Sequence, residues 1–170
     1  VFDEEETKGR SKTDIIAEFT QYAYDSLTPL GVFVSADVFG AIIGSEEDAG
    51  AVGQIYGEMA QSLDYICPMI YPSHYGDGNF GLDHPDLHPY ETILGALQKS
   101  EEELSAYPEE ERQAVVRPWL QDFTATYLKH HIKYGNDEIR EHIQAVYDAG
   151  YEEWILWNAS NNYHYGGLEQ

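Results

Sequence analysis

Four times along the chain a short apolar run breaks off into a polar cluster, and this repeated pattern restricts the fold more than any other feature of the sequence. The sharpest instance is Val-Val-Arg-Pro-Trp-Leu-Gln-Asp-Phe, from Val115 to Phe123, where apolar residues lead directly into Trp119, Gln121 and Asp122. Val32 to Gly40, Tyr65 to Tyr75 and Trp154 to Tyr163 share the pattern. A β-branched run followed at once by polar and aromatic groups suits the C-terminal end of a parallel strand, the edge where α/β folds collect their ligands.

Helical patterns separate the four runs. The acidic opening to Gly9 reads as a solvated loop, and Ser11 with Asp14 then forms a capping-box pattern that starts a helix. Ile15, Ile16, Phe19, Tyr22 and Ala23 recur at helical spacing until Pro29 and Gly31 stop it. In the strand that follows, Ser35 and Asp37 share one side and Val34, Ala36 and Val38 the other, with Asp37 near the strand end. Glu46 to Leu63 reads as one helix, with Val52, Ile55, Tyr56 and Met59 on one face and acidic residues in its first turn. Tyr65 to Tyr71 is a strand in which Pro68 predicts a bulge or local irregularity. The long loop from Pro72 to Pro89 has the length of a functional segment. Tyr90 to about Leu104 is helical through Ile93, Leu94 and Leu97, and runs into the acidic corner at Pro108 to Glu111. Thr124 to Tyr134 is ambiguous. Asn136 is expected to cap a helix with Ile139, Ile143, Val146 and Tyr147 on one face and Gly150 at its end, before the last strand, Trp154 to Asn158.

Helix and strand alternate four times, which with right-handed crossovers means a parallel sheet. Two architectures fit: an open doubly wound α/β sheet, or part of a (β/α) barrel, whose catalytic face is built from the ends of many strands. Polar residues at all four strand ends favour the barrel. Four strands are half of eight and the first element is a helix, so the chain, residues 1 to 170, is expected to be one domain forming the C-terminal half of a TIM barrel.

A formal charge of -22, from 31 acidic and 9 basic residues, repels phosphate backbones and anionic headgroups. Nucleic acid is therefore not an expected partner, and neutral or cationic ligands fit better. Cys67 is the sole cysteine, within an apolar run, and reads as a small core residue. No apolar segment approaches the ~20 residues that span a bilayer, so no transmembrane segment is expected, and no targeting signal is visible.

Five motifs together carry a family resemblance: Gly-Arg-Ser-Lys-Thr-Asp (9 to 14), Val-Ser-Ala-Asp-Val-Phe-Gly (34 to 40), Tyr-Ile-Cys-Pro-Met-Ile-Tyr-Pro-Ser-His-Tyr (65 to 75), Arg-Pro-Trp-Leu-Gln-Asp-Phe (117 to 123) and Trp-Ile-Leu-Trp-Asn-Ala-Ser-Asn (154 to 161). They resemble the glycoside hydrolase domain of bacterial secreted or cell-envelope proteins, once catalogued as a domain of unknown function, over nearly the whole chain. The resemblance implies a TIM barrel related to the α-amylase-like glycosidases, with these segments as strands five to eight, and an extracellular or envelope location. It also implies an Asp-Tyr-x-Arg-Phe-Pro motif on a preceding strand, which this chain does not contain.

Glycoside hydrolysis needs two carboxyl groups, roughly 5 to 5.5 Å apart for retention and 6.5 to 9.5 Å for inversion. Asp37 and Asp122 are the candidates, each near a strand end; the alternative role for either is to cap a helix or bind a loop. Strand alternation puts Trp119 with Gln121 and Leu120 with Asp122, so Gln121 and Asp122 cannot both face the axis of a regular barrel. Sugar rings offer apolar C–H faces to Tyr71, Tyr75, Trp119 and Trp157, while His74, Gln121, Asn158 and Asn161 suit the hydroxyls; packing in the core is the competing role for each aromatic. Asp83, His84, Asp86 and His88, and the pair His130 and His131, carry no specific ligand signature, and no strand is followed by a glycine-rich phosphate loop. Neither a metal nor a cofactor is expected. The sequence supports a glycoside hydrolase complete only with the other barrel half, or a non-catalytic carbohydrate-binding or scaffold domain. Two open sheet edges further predict that the isolated chain forms a homo-oligomer.

Overall fold

Alternate strand residues are apolar and buried on one side of the sheet, and the helices lie against that side. The computed structural model describes residues 7–111 and 114–168. In β1 (Ser35–Phe39) Val38 is buried with Ala36 beside it; in β2 (Tyr65–Ile70) Ile66 and Ile70 take the same place. They are continued by Val116 of β3 (Val115–Val116), Leu120 of β4 (Trp119–Gln121) and Leu156 of β5 (Ile155–Trp157). Against them pack Ile16 of α1 (Lys12–Leu27), Ala49 of α2 (Glu46–Val52), and Tyr56 and Met59 of α3 (Tyr56–Ala60). Ile93 and Leu97 of α4 (Pro89–Ser105) and Ile139 and Val146 of α5 (Asn136–Asp148) complete this core.

All strand pairings are parallel, and the order across the sheet is β1-β2-β4-β5, with β3 also on β2. Strand order follows chain order without a switch point. The fold is thus a run of parallel β/α units of the TIM-barrel kind, and the doubly wound alternative does not apply.

The third predicted strand is split in two by Pro118. β2 pairs with Val115 and Val116 at one end and with Trp119 and Leu120 at the other, leaving its own Cys67 and Pro68 opposite the break. Pro68 therefore sits inside an unbulged strand: the ladder bond that its missing N–H would have made falls where the neighbouring strand is interrupted anyway.

Other departures have local causes. The helix expected from Glu46 to Leu63 is two, because Gly53 takes a left-handed conformation (φ 83°) that ends α2. In α1 the capping box forms as expected, Ser11 Oγ accepting from the Asp14 amide at 3.1 Å and Asp14 Oδ2 from the Ser11 amide at 2.9 Å. Its apolar stripe is not buried: Phe19 and Tyr22 are 66% and 70% exposed, and contact runs along Ile16, Thr20 and Tyr24 instead. The cap of α5 is Gly135 rather than Asn136, with Glu138 accepting from the Gly135 amide at 2.9 Å, and Tyr147 is exposed. The first strand begins at Ser35 and runs two residues past Asp37, which lies mid-strand. Of the acidic opening, residues 1–6 lie outside the described residues.

His142 of α5 is wholly buried, its Nδ1 without a hydrogen-bond partner and its ring edge-on to Tyr134 at 5.5 Å. Burial pushes its pKa down from 6.5 to about 3, so the fold accepts only the neutral imidazole. The stability this secures is complete above the unfolded pKa of 6.5 and is lost as pH falls toward 3, because protons then bind the unfolded chain preferentially. The urea midpoint should accordingly drop across that window. A His142→Phe variant should show a shallower drop, and parallel curves for the two proteins would contradict this account.

Candidate active site

Pleating sends Ser35, Asp37 and Phe39 to the sheet face opposite the helices, where Trp119 and Trp157 also lie. The Trp119 indole N–H donates to Asp37 Oδ1 at 2.8 Å, bridging two strands that do not pair. Trp119 meets Trp157 edge-to-face, with ring centroids 5.9 Å apart at 87°. Trp157 is 42% exposed, so the aromatic pair presents an open surface beside the carboxylate.

Cys67 is the register partner of Asp37 on β2. Burial, followed by the Asp37 charge, pushes its thiol up to about 11, which keeps it protonated and unreactive at neutral pH. Tyr71 is buried, edge-on to His74 at 5.1 Å and to Phe123 at 6.0 Å. Desolvation, then Asp37 and Tyr163, push its phenol up to about 12. Below Asp37 on the same face, the Arg117 guanidinium lies over the Tyr65 ring, 3.8 Å from its centroid, and pairs with Glu153.

Gln121 is fully buried and its amide is committed. Its Oε1 accepts from the Ser73 hydroxyl at 2.7 Å and the Ser73 amide at 3.1 Å, while Nε2 donates to Asp86 Oδ1 at 2.9 Å and to the Phe123 carbonyl at 3.0 Å. These bonds fix the loop after β2 to the end of β4. Tyr127 adds a bond to Ser73 Oγ at 3.1 Å. Desolvation holds the Asp86 carboxyl above its ordinary pKa, opposed by the Gln121 hydrogen bond.

Asp122 occupies a different environment. Its side chain is 0% exposed; Oδ2 accepts from the His164 amide at 2.9 Å and Oδ1 lies 2.5 Å from His164 Nδ1. The backbone around it is held too, its amide donating to the Trp157 carbonyl at 2.9 Å and its carbonyl accepting from Asn158 Nδ2. Asn158 further bonds the Asn162 carbonyl and the Ser160 amide and hydroxyl, so its side chain is spent on shaping the loop after β5. Asn161, in a left-handed conformation (φ 55°), is exposed there. His74 is exposed at the rim, and Tyr75 packs on Phe80 at 5.1 Å with its hydroxyl buried.

Of the residues the sequence singles out, Asp37, Trp119 and Trp157 come together on the open sheet face, with Tyr71 within electrostatic reach of Asp37. Gln121, Asp122 and Asn158 are buried among loop contacts. His164 and Ser73 are not singled out by the sequence, and Asp86 is read there only as a possible metal ligand, because their partners lie 42, 48 and 35 residues away and leave no local pattern. His84 and His130 stack at 3.9 Å, with Asp77 on His84 Nδ1 at 2.8 Å, but no group of three His, Cys, Asp or Glu among the described residues is arranged to hold a metal. A cavity of about 620 Å³ lies on the helical side, lined by Ile42, Ala49, Ile55 and Lys99. Among the described residues no helix is long and apolar enough to cross a membrane.

A family model described as "Putative glycosyl hydrolase domain" matches residues 1–163. Among solved structures, the chain is similar to the glycoside hydrolase domain of PgaB (BpsB) from Bordetella bronchiseptica, with a TM-score of 0.56 and 12% identity. The match covers 91% of this chain and 39% of that one, so the chain spans well under half the length of that structure. At this identity the likeness is one of fold. No curated protein matches the sequence.

Replacing Gln121 by Leu keeps the volume but leaves Ser73, Asp86 and the Phe123 carbonyl without their buried partner. Each such group costs about 1–3 kcal/mol, and with Tyr127 still on the Ser73 hydroxyl Gln121→Leu should lower unfolding stability by at least about 3 kcal/mol and speed exchange of the Ser73 amide. A variant with native stability and a protected Ser73 amide would show that the loop is held by other means.

Proposed function

The chain belongs to the family of glycosyl hydrolase domains whose model it matches, and from that membership we propose that it is part of a glycoside hydrolase acting on a polysaccharide or oligosaccharide. The observation that carries this reading is Asp37: an exposed carboxylate on the inner sheet face, held through one oxygen by the Trp119 indole and flanked by the Trp119–Trp157 pair. A carboxyl group beside aromatic platforms suits a glycosidic oxygen next to a sugar face. In this reading Asp37 is an acid/base or nucleophile, and Trp119 and Trp157 stack on the sugar. Tyr71, His74 and Asn161 frame the cleft, Tyr75 packs against the core through Phe80 rather than facing a ligand, and Gln121 and Asn158 act by fixing its loops. The second carboxyl group at the scissile bond comes from the β/α units that complete the barrel, and the location is extracellular or the cell envelope, as in the family.

One observation favours the non-catalytic alternative. With Asp122 engaged by His164, Asp37 is the open carboxylate that the described residues place by the tryptophans, which is enough for binding a glycan and too little for hydrolysing it. Asp37→Asn in the full-length parent separates the two. Turnover should fall by about 10²–10⁴-fold with an unchanged unfolding transition. Undiminished turnover would remove Asp37 from the chemistry, and glycan binding without turnover by either protein would favour the binding domain. The isolated chain should hydrolyse no member of a glycan panel.

The same open face makes an association proposal. Among the described residues the outer edges of β1 and β5 have no strand partner, and Phe39, Val115 and Trp157 are exposed. A two-fold axis along the strand direction keeps every strand parallel, so β5 of one copy can add to β1 of another and close the sheet. Light scattering over a dilution series of the isolated chain should give a dimer or larger species. A compact monomer at micromolar concentration would rule the association out.

A further inference from the structure

Asp122 and His164 have the arrangement of an oriented general-base dyad, and we propose that Asp122 acts through His164 rather than directly on substrate. The carboxylate is 0% exposed, whereas the His164 side chain is 37% exposed, so one partner is sealed and the other reaches the strand-end rim. Asp122 Oδ2 is already satisfied by the His164 amide at 2.9 Å, leaving Oδ1 for Nδ1 at 2.5 Å. An ionised carboxylate has only acceptor lone pairs, so the shared hydrogen belongs to Nδ1. That fixes the tautomer. Nε2 then carries the free lone pair on the exposed edge of the ring, able to take a proton from a bound hydroxyl or water while Nδ1–H stays on Asp122, and to return it to a departing oxygen.

The loop that presents His164 is anchored at both ends. Asn158 ties its start to the Asp122 carbonyl, and Arg140 Nη2 donates to the Gly166 carbonyl at 3.1 Å beyond it. Gly166 and Gly167 lie so close to Asn136 and Ile139 of α5 that a Cβ on either would come within 2.5 to 2.8 Å of them. The Asp122 amide donates to the Trp157 carbonyl at 2.9 Å, which ties the dyad to the strand that carries Trp157 of the Asp37 face. Asp122 is thus a positioning residue, and His164 is the proton-exchanging group it orients. The chemical use of Nε2 rests on the glycosidase reading; the tautomer does not.

Long-range ¹H–¹⁵N correlation spectra of the ¹⁵N-labelled chain at mildly alkaline pH test the tautomer, with the His164 signals identified by their loss in His164→Gln. The wild type should show the Nδ1–H form, and Asp122→Asn should convert it to Nε2–H, because a carboxamide donates where a carboxylate accepts. An Nε2–H form in the wild type overturns the proposal on its own, even if Asp122→Asn does not fold; a folded Asp122→Asn with an unchanged tautomer does the same. In the longer parent, His164→Gln should lower kcat by about 100-fold with KM changed far less, and should remove one limb of the kcat pH profile. Full turnover in that variant overturns the proton-transfer role. A parent that hydrolyses no glycan overturns that role together with the glycosidase reading, while the Nδ1–H result stands.

Discussion

The candidate site depends on how the end of β4 divides two adjacent polar residues between two loops. Gln121 and Asp122 leave the strand on opposite sides, as the two-residue period requires. Gln121 takes the loop after β2, through Ser73 and Asp86, and Asp122 takes the loop after β5, through His164. Both side chains are buried, so neither can trade its partners for water without a penalty of about 1–3 kcal/mol per lost group, more for a charge. Two rim loops are thereby referred to one rigid strand. Precision at the cleft comes from this division.

Charge is distributed with the same economy. In a chain with 9 basic and 31 acidic residues, few cations are available for inward-facing carboxylates. Arg117 is spent on Glu153 and the Tyr65 ring, at the opposite end of the inner face from the loops. Asp37 receives a neutral donor, the Trp119 indole, on one oxygen. A neutral donor orients the carboxylate and leaves its second oxygen free for a ligand. The same negative charge is felt at Cys67 and Tyr71, both driven further toward their protonated forms. Two potential nucleophiles beside Asp37 are silenced.

The parallel order, the helical side and the face on which Asp37 lies were legible because they rest on periods that are local in sequence, whereas its place along the strand was not. Val34, Ala36 and Val38 declare their side of the sheet within five residues, and the Ser11 and Asp14 cap is written in four. What was not legible depends on partners far along the chain. The amphipathic stripe through Phe19 and Tyr22 gives helical spacing but not which edge of the stripe meets α2 and α3. A buried glutamine such as Gln121 looks, from sequence, like any polar strand-end residue suited to a sugar hydroxyl; only Ser73 and Asp86 show that its amide is occupied. Asp122 likewise looks like a second catalytic carboxylate until His164 is found on it, and nothing in Asn-Asn-Tyr-His-Tyr announces a partner 42 residues upstream.

The inner face also constrains whatever covers it. Burying an ion pair costs several kcal/mol per charge unless its partners are complete, and a surface that closes over Arg117 finds it already paired with Glu153 and stacked on Tyr65, so it need supply no countercharge. Asp37 presents the opposite case. Among the described residues it has one neutral hydrogen bond and no cation, so a tightly fitted apolar cover would leave its charge buried and uncompensated. The complementary surface can therefore pack closely over Arg117 and Tyr65 but must leave water, a hydrogen-bond donor or a ligand at Asp37. Close packing at one end of the face and an obligatory gap at the other describe a cleft whose floor is the Arg117 pair and whose open end is the carboxylate between the tryptophans.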